Sequence, residues 1–221
     1  MRKAVLMLLI LMLLTTTGCE NPYKPYLFND QVDLIKMTGN SMLYPDTLPF
    51  ETTFNMFTGF HHTSTRAWDY IIDLRSYDPT NADMGFDEMV SRVNEGFPEV
   101  ISFDVTALEM DNRARGRLVP DKKGDMEAYE AFADSGADKW SIGGVTVTYR
   151  SNFGADFISS ADPGSTTDYI VFLTLNTYAA FMYDGVLYMI NMRVIGHRNE
   201  TVEELFKTVD MLKEIITGMI G

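Results

Sequence analysis

The sequence predicts an α+β domain in which a mainly antiparallel sheet of about five to seven strands carries helices packed on one face. Three observations support this prediction. Segments with strand periodicity alternate along the chain with segments of helical periodicity. Near the C-terminus, two β-rich runs flank an Asp-Gly pair, which marks a hairpin, and a long amphipathic helix follows directly.

Residues 1–18 have the pattern of a secretory signal peptide. Arg2 and Lys3 precede an apolar run, residues 4–14, which gives way to small and polar residues up to Gly18. A membrane-spanning helix needs roughly 20 apolar residues, and this run contains eleven. We therefore expect the leader to be recognised and removed.

The only cysteine of the chain follows the leader. The segment Thr16-Thr17-Gly18-Cys19 resembles the lipobox of bacterial lipoproteins, although Thr16 stands where that family usually has Leu. The resemblance implies cleavage after Gly18 and a lipidated Cys19, which would carry a diacylglycerol thioether and an amide-linked acyl chain. Several chains anchor a protein stably, because each buried methylene contributes about 0.8 kcal/mol. The alternative is an ordinary secreted protein with a leftover thiol.

Cleavage after Gly18 leaves 203 residues. We expect residues 19–26 to form a short tether and residues 27–221 to form a single globular α+β domain close to the bilayer. The lipoprotein resemblance implies an extracytoplasmic protein. Glu20 follows the cysteine, whereas an Asp there would favour an inner membrane in that family, so the outer membrane is expected if the cell has two.

The composition restricts the partners. Loss of Arg2 and Lys3 with the leader changes the net charge from −13 to −15, and this charge repels nucleic acid. The remaining partners are the membrane, through the lipid on Cys19, and either an envelope protein or a small molecule. No cofactor motif is present in the sequence, so no cofactor is expected.

Five segments define the elements before the C-terminal hairpin. They are read as a strand (AWDYIIDLRSY, 67–77), a helix (FDEMVSRVNEGF, 86–97), a strand (VISFDVTALEM, 100–110), a helix (DMEAYEAFADSG, 125–136) and a strand with a bulge at its glycines (WSIGGVTVTYR, 140–150). We expect all of them to belong to the same sheet and its covering helices.

The Asp184-Gly185 pair predicts a two-residue type I′ turn. Such a turn fixes the register and places residues 183, 181, 179 and 177 opposite residues 186, 188, 190 and 192. These four pairs are nearly all apolar, whereas the intervening pairs are mixed. One face of the hairpin should therefore belong to the core.

The segment Thr201-Val202-Glu203-Glu204 is a capping box, so a helix should begin there. Gly218 is the expected terminator. The predicted apolar stripe consists of Val202, Leu205, Phe206, Val209, Leu212, Ile216 and Met219. The order of strand, Asp-Gly turn, strand and terminal helix resembles the C-terminal part of PsbP and Mog1-like domains over about 50 residues. No functional residue follows from this resemblance.

The pattern does not predict a metal site. His61 and His62 are adjacent and would point to opposite sides of a strand, and His197 stands alone. Met189 and Met192 would likewise face opposite ways, which favours core packing over soft-metal binding.

Catalytic motifs are weak in this sequence. GNSMLYPDTL, residues 39–48, resembles the serine box of signal peptidases, with Ser41 at the nucleophile position. An additional residue lies before Pro45, and Lys122 and Lys123 lie in a turn-like segment rather than on a strand that could present a base. A serine without a positioned base is an ordinary hydroxyl, so no catalytic residue is predicted.

Arg113, Arg115 and Arg117 alternate, so a strand would place all three on one face. In so acidic a protein, this stripe is the candidate ligand-binding site, because guanidinium groups bind carboxylates in bidentate fashion. Pairing with neighbouring Asp and Glu residues is the alternative.

Three functions remain open from the sequence. The first is a membrane-tethered, non-catalytic interaction module of the cell envelope. The second is a small-ligand-binding lipoprotein with an aromatic pocket between sheet and helices. The third is an enzyme whose site is assembled from distant residues.

Overall fold

The structure, a computed structural model, describes residues 23–39, 42–62, 68–76, 100–109, 122–159, 169–197 and 202–221. The elements of this part of the chain are β1 (Tyr23–Phe28), α1 (Gln31–Thr38), β2 (Phe54–His62), β3 (Trp68–Arg75), β4 (Val100–Glu109), α2 (Lys122–Asp134), β5 (Asp138–Ile142), β6 (Val145–Ser159), β7 (Tyr169–Tyr183), β8 (Val186–His197) and α3 (Val202–Ile220). The predicted helix at residues 86–97 and Thr201 of the capping box lie outside the described residues.

The described strands form one sheet in the order β1-β2-β3-β4-β8-β7-β6-β5, and all neighbours are antiparallel. Two meanders of four strands therefore meet where β4 pairs with β8. The α+β class is confirmed, and the sheet is mainly antiparallel as predicted. The described strands number eight, however, so the predicted five to seven was wrong.

Three features account for the larger number of strands. β2 (Phe54–His62) lies in a segment for which no strand was predicted. β1 begins at Tyr23, inside the segment 19–26 that we expected to be a tether, and its Pro25 is tolerated because β1 is an edge strand. Gly143 and Gly144 form a hairpin turn rather than a bulge, since both have positive φ angles, 56° and 85°, and β5 pairs with β6 across them.

The predicted β7–β8 hairpin is confirmed in its register. Tyr183 pairs with Val186 and Phe181 pairs with Tyr188, and the pairing continues without a shift to Thr177 and Met192. Asp184 and Gly185 have φ angles of 47° and 78°, the signs that a type I′ turn requires.

The core lies on one face of the sheet, here called the core face. Its fully buried side chains include Tyr70, Ile72, Phe103, Val105, Phe181, Tyr188 and Ile190. α3 contacts β7 and β8 and contributes Leu212, Ile215 and Ile216, while α1 contributes Leu34. Burial of such side chains supplies the main stabilisation of the fold, about 1.5–3 kcal/mol each before the entropy cost.

The helices do not all cover the same face. The ring of Phe132 in α2 packs edge-on against Tyr178, with 5.0 Å between centroids. Tyr178 points away from its neighbour Ala179, which belongs to the core face. The prediction of helices on one face was therefore wrong. α2 lies on the face opposite the core face, here called the second face, because Phe132 and Tyr178 pack against each other there.

The ends of two helices also differ from the sequence prediction. α3 continues through Gly218 to Ile220, and Met219 in this last turn is buried, so packing outweighs the weak helix propensity of glycine. Lys122 and Lys123 lie in the first turn of α2 rather than in an isolated turn. None of the three described helices combines the length and the apolar character that a membrane crossing requires.

Candidate functional site

Several predicted site residues lie outside the described residues. These are Gly18 and Cys19 in the leader region, Ser41, and the arginine stripe Arg113, Arg115 and Arg117. The lipidation site and the weak ligand-binding site consequently stay predictions. Within the described ranges, no group of three His, Cys, Asp or Glu side chains could hold a metal ion.

The fold also places His61 and the Met189/Met192 pair, which the sequence analysis considered as possible metal ligands. The ring of His61, on β2, lies 4.7 Å from the ring of Trp68, centroid to centroid, in an aromatic contact. Met192 is buried in the core, whereas Met189 lies on the second face and is partly exposed, so the two do not form a metal-binding pair.

An open groove of about 490 Å³ lies between α3 and the β5–β6 hairpin. Its floor is formed by Tyr149 and Ser151 on the core face of β6, and one wall is formed by Phe206, Val209 and Lys213 of α3. Gly136, Ala137, Asp138, Arg150 and Asp210 complete the lining. The groove exists because β5 begins at Asp138, opposite Tyr149, and leaves the following residues of β6 without a partner on that side in the described part of the chain.

The groove carries charges of both signs beside aromatic rings. The ammonium nitrogen of Lys213 lies 3.7 Å from a carboxylate oxygen of Asp210 and 5.8 Å from the ring centroids of both Trp140 and Tyr149. Trp140 and Tyr149 contact each other edge-to-face, with centroids 4.7 Å apart. The buried indole nitrogen of Trp140 has no hydrogen-bond partner among the described residues.

Arg150 borders the same groove and is held by α2. Its guanidinium group donates to the hydroxyl oxygen of Ser135 at 2.8 Å and lies 5.9 Å from the ring centroid of Phe132. The guanidinium group is therefore held on the α2 side of the sheet edge.

Among the described residues, β6 has an open backbone edge next to this groove. Residues 148–159 of β6 pair with β7 on one side. On the other side β5 pairs only with residues 145–149, and no described strand pairs with residues 150–159. Because alternate residues of an antiparallel strand direct their N–H and C=O groups to opposite sides, about half of these backbone groups face the open side.

Two large aromatic side chains are exposed at this edge. Phe153 of β6 is 44% exposed and Phe206 of α3 is 43% exposed, and both lie on the core-face side of the sheet. The sequence stripe assigned Phe206 to the core, and this assignment was wrong: Phe206 is exposed, and among the described side chains of α3 the buried ones begin at Thr208 and Val209. The signal that could have revealed the edge is the unequal length of the β-rich runs 138–142 and 145–159.

A cluster of polar side chains lies on the second face, away from the groove. Asp73 of β3 pairs across the strands with Asp104 of β4, which pairs with Asn191 of β8. Arg75 donates two hydrogen bonds to the Asp73 carboxylate, at 2.9 and 2.7 Å. Burial and the neighbouring Asp73 charge raise the pKa of Asp104, and a hydrogen bond from Asn191 partly opposes this. A protonated Asp104 carboxyl group can therefore donate a hydrogen bond to the Asp73 carboxylate.

Comparison with known proteins found no matching family, no matching curated protein and no matching solved structure.

Proposed function

We propose that the protein is a lipid-anchored, extracytoplasmic interaction module that binds an extended segment of an envelope protein along the open edge of β6, without catalysis of its own. The observation that carries this proposal is the ten-residue stretch 150–159, which has a strand partner on one side only in the described part of the chain. A bound segment would add a ninth strand to the described sheet.

Strand addition suits the surroundings of this edge. Main-chain hydrogen bonds to β6 would supply affinity, while alternate side chains of the bound segment would meet the groove. Phe153 and Phe206 offer exposed aromatic surface on the side of the groove. Exposed aromatic groups at the centre of an interface commonly contribute most of its binding energy.

The charges favour a peptide over a simple ion. Lys213 forms an ion pair with Asp210, and Asp138 lines the same groove, so the groove offers a cation and anions within one binding surface. A peptide segment with mixed polar side chains complements such a surface, and charge complementarity fixes its register more than its affinity.

A small amphipathic molecule is the alternative ligand. The groove volume lies within the usual range for small-molecule sites, about 300–1,000 Å³. The open form of the groove and its continuity with the free strand edge favour the peptide.

Site-specific photocrosslinking in the native cell tests the proposal. We would place p-benzoylphenylalanine at position 153 or 206, and at the exposed Lys36 of α1 as the control. We expect one discrete protein adduct from positions 153 and 206 and none from position 36. A gain of only a few hundred daltons would indicate the small-ligand function, and an adduct of twice the chain mass would indicate self-pairing. Each of these two results contradicts the peptide proposal, as does the absence of any adduct.

A charge on the edge should block strand addition. Phe153→Lys places an ammonium group beside the open backbone and should abolish the adduct formed from position 206. Met56→Lys is the matched control, since Met56 is also a partly exposed strand residue but lies near the opposite edge of the sheet. If both variants keep the adduct, β6 is not the docking edge.

A further inference from the structure

Aromatic side chains collect at the corner of the sheet where β1 begins. The ring centroids of His61 and Tyr26 lie 4.7 and 5.4 Å from that of Trp68, and Phe28 follows at 6.5 Å. The ammonium nitrogen of Lys24 lies 5.1 Å from the Tyr26 ring centroid. Lys24 is exposed, and Tyr26, His61 and Trp68 are only partly buried. We call Lys24, Tyr26, His61 and Trp68 the aromatic corner.

Aliphatic and thioether side chains are exposed near the same edge of the sheet, on both of its faces. Six large apolar side chains are exposed in the described residues, and four of them belong to β1, α1 and β2. These are Leu27 (79% exposed), Val32 (58%), Met37 (50%) and Met56 (36%). The other two, Phe153 and Phe206, lie at the proposed binding edge.

The predicted lipid on Cys19 would place the β1 edge of the sheet near the membrane. Cys19 precedes Tyr23, the first residue of β1, by four positions, so their Cα atoms are at most about 14 Å apart. A lipid-bearing Cys19 lies at the membrane surface, and the start of β1 must lie close to the same surface.

We propose that the β1 edge, with the aromatic corner and Leu27, lies in the headgroup region of the membrane that carries the anchor. Tyr and Trp rings favour this region because each has an apolar body and a polar tip. Lys24 can extend its ammonium group towards water while its aliphatic stem stays beside the apolar groups. With a net charge of −15 after cleavage, the contact depends on apolar and aromatic groups and not on anionic lipid.

This orientation separates the two surfaces of the protein. β1 and β5 are the opposite edges of the sheet, seven strand spacings or roughly 33 Å apart. With β1 on the bilayer, the open edge of β6 faces away from the membrane and is accessible to a partner. The inference rests on the lipid anchor of the proposed function.

The two tryptophans of the chain provide the test. Trp68 lies in the aromatic corner, whereas Trp140 lies on β5, five strand spacings or roughly 24 Å further along the sheet. Trp140→Phe leaves only Trp68, and Trp68→Phe leaves only Trp140. Each lipidated variant is reconstituted into phosphatidylcholine vesicles with plain or brominated acyl chains, and its thermal unfolding is compared with that of the wild type.

We expect the bromolipid to lower the Trp68 emission about two-fold, because interfacial groups lie roughly 5–10 Å into the headgroup and acyl boundary, and to leave the Trp140 emission unchanged. Leu27→Glu alters a side chain that is 79% exposed, so the fold should tolerate it, and it should weaken the quenching of Trp68. If Trp68 is not quenched, or if both tryptophans are quenched equally, the orientation is wrong.

Vesicle flotation tests the lipid anchor separately from the orientation of the β1 edge. A wild-type protein that does not float with vesicles has no lipid anchor, which overturns both the anchor and the orientation. A protein that floats while its Trp68 emission stays unquenched keeps the anchor and overturns the orientation alone.

Discussion

The backbone amide of Leu43 donates a hydrogen bond to the hydroxyl oxygen of Tyr188, 2.8 Å away in space and 145 residues away in sequence. The hydroxyl of Tyr70 donates to the carbonyl oxygen of the same leucine. Tyr70 and Tyr188 belong to β3 and β8, which flank β4, and both point to the core face. The segment that follows α1 is therefore attached to the middle of the sheet by both backbone polar groups of one residue.

Removal of the Tyr188 hydroxyl should destabilise the fold. Tyr188→Phe leaves the Leu43 N–H without its acceptor, so we expect the free energy of unfolding to fall by about 1–2 kcal/mol. Burial raises the pKa of Tyr188, so its hydroxyl stays protonated under ordinary conditions. Urea unfolding measures the effect, and Tyr149→Phe in the open groove is the control. Equal stability of Tyr188→Phe and the wild type would contradict this attachment.

Gly59 should not tolerate a side chain. A Cβ at this position would lie 2.8 Å from Cε2 of Phe28 and 3.2 Å from Cζ3 of Trp68. We expect Gly59→Ala to lower the free energy of unfolding by about 1–3 kcal/mol, because overpacking forces the rings apart. Gly154→Ala is the matched control on β6, where a Cβ meets nothing within 4 Å. Thermal unfolding and Trp68 emission report the outcome, and similar effects of the two substitutions would argue against a packed aromatic corner.

The carboxyl pair on the second face should make stability depend on pH. Since burial raises the pKa of Asp104, the folded protein retains this proton above the ordinary value of 3.8, where the unfolded chain releases it. The free energy of unfolding therefore falls as the pH rises, until the folded Asp104 has also ionised.

Asp104→Asn should remove this dependence. We expect the variant to unfold at a higher temperature than the wild type at pH 7, and the difference to disappear below pH 3.8. Asp46→Asn, in an exposed loop, is the control. A pH-independent difference between Asp104→Asn and the wild type would show that ionisation of Asp104 carries no cost.

Cys19→Ser should detach the protein from the membrane. Without the thiol no diacylglycerol can be attached, and the aromatic corner alone should give weak, reversible binding. Fractionation of cells that express either form measures this, with the wild type in the membrane and the variant largely released. If the variant sediments with membranes as strongly as the wild type, the anchor hypothesis fails.

Local signals predicted the parts of the fold that depend on short-range physics. The Asp184-Gly185 turn fixed its own register, because only two residues with positive φ angles allow that hairpin. The same logic failed at Gly143-Gly144, where a turn was interpreted as a bulge, since two glycines permit either geometry. β1 was overlooked because Pro25 opposes strand pairing in general, although not at a sheet edge.

The candidate site was less predictable than the fold. The arginine stripe was the feature that the sequence offered, and it lies outside the described residues. The groove and the open edge of β6 depend on how far β5 extends along its neighbour and on where α3 crosses the sheet. Neither depends on a local motif, so neither could be found without the tertiary structure.

By itself, the sequence determined the α+β class, the β7–β8 hairpin with its buried face, and the C-terminal helix with the buried stripe of Val209, Leu212, Ile216 and Met219. These follow from turn chemistry and side-chain periodicity, which act over a few residues. The tertiary structure alone decided the strand order, the placement of α2 on the second face and the exposure of Phe153 and Phe206. Those features depend on contacts between residues far apart in the chain. Such contacts produce no periodic pattern in the sequence of the segments that they join.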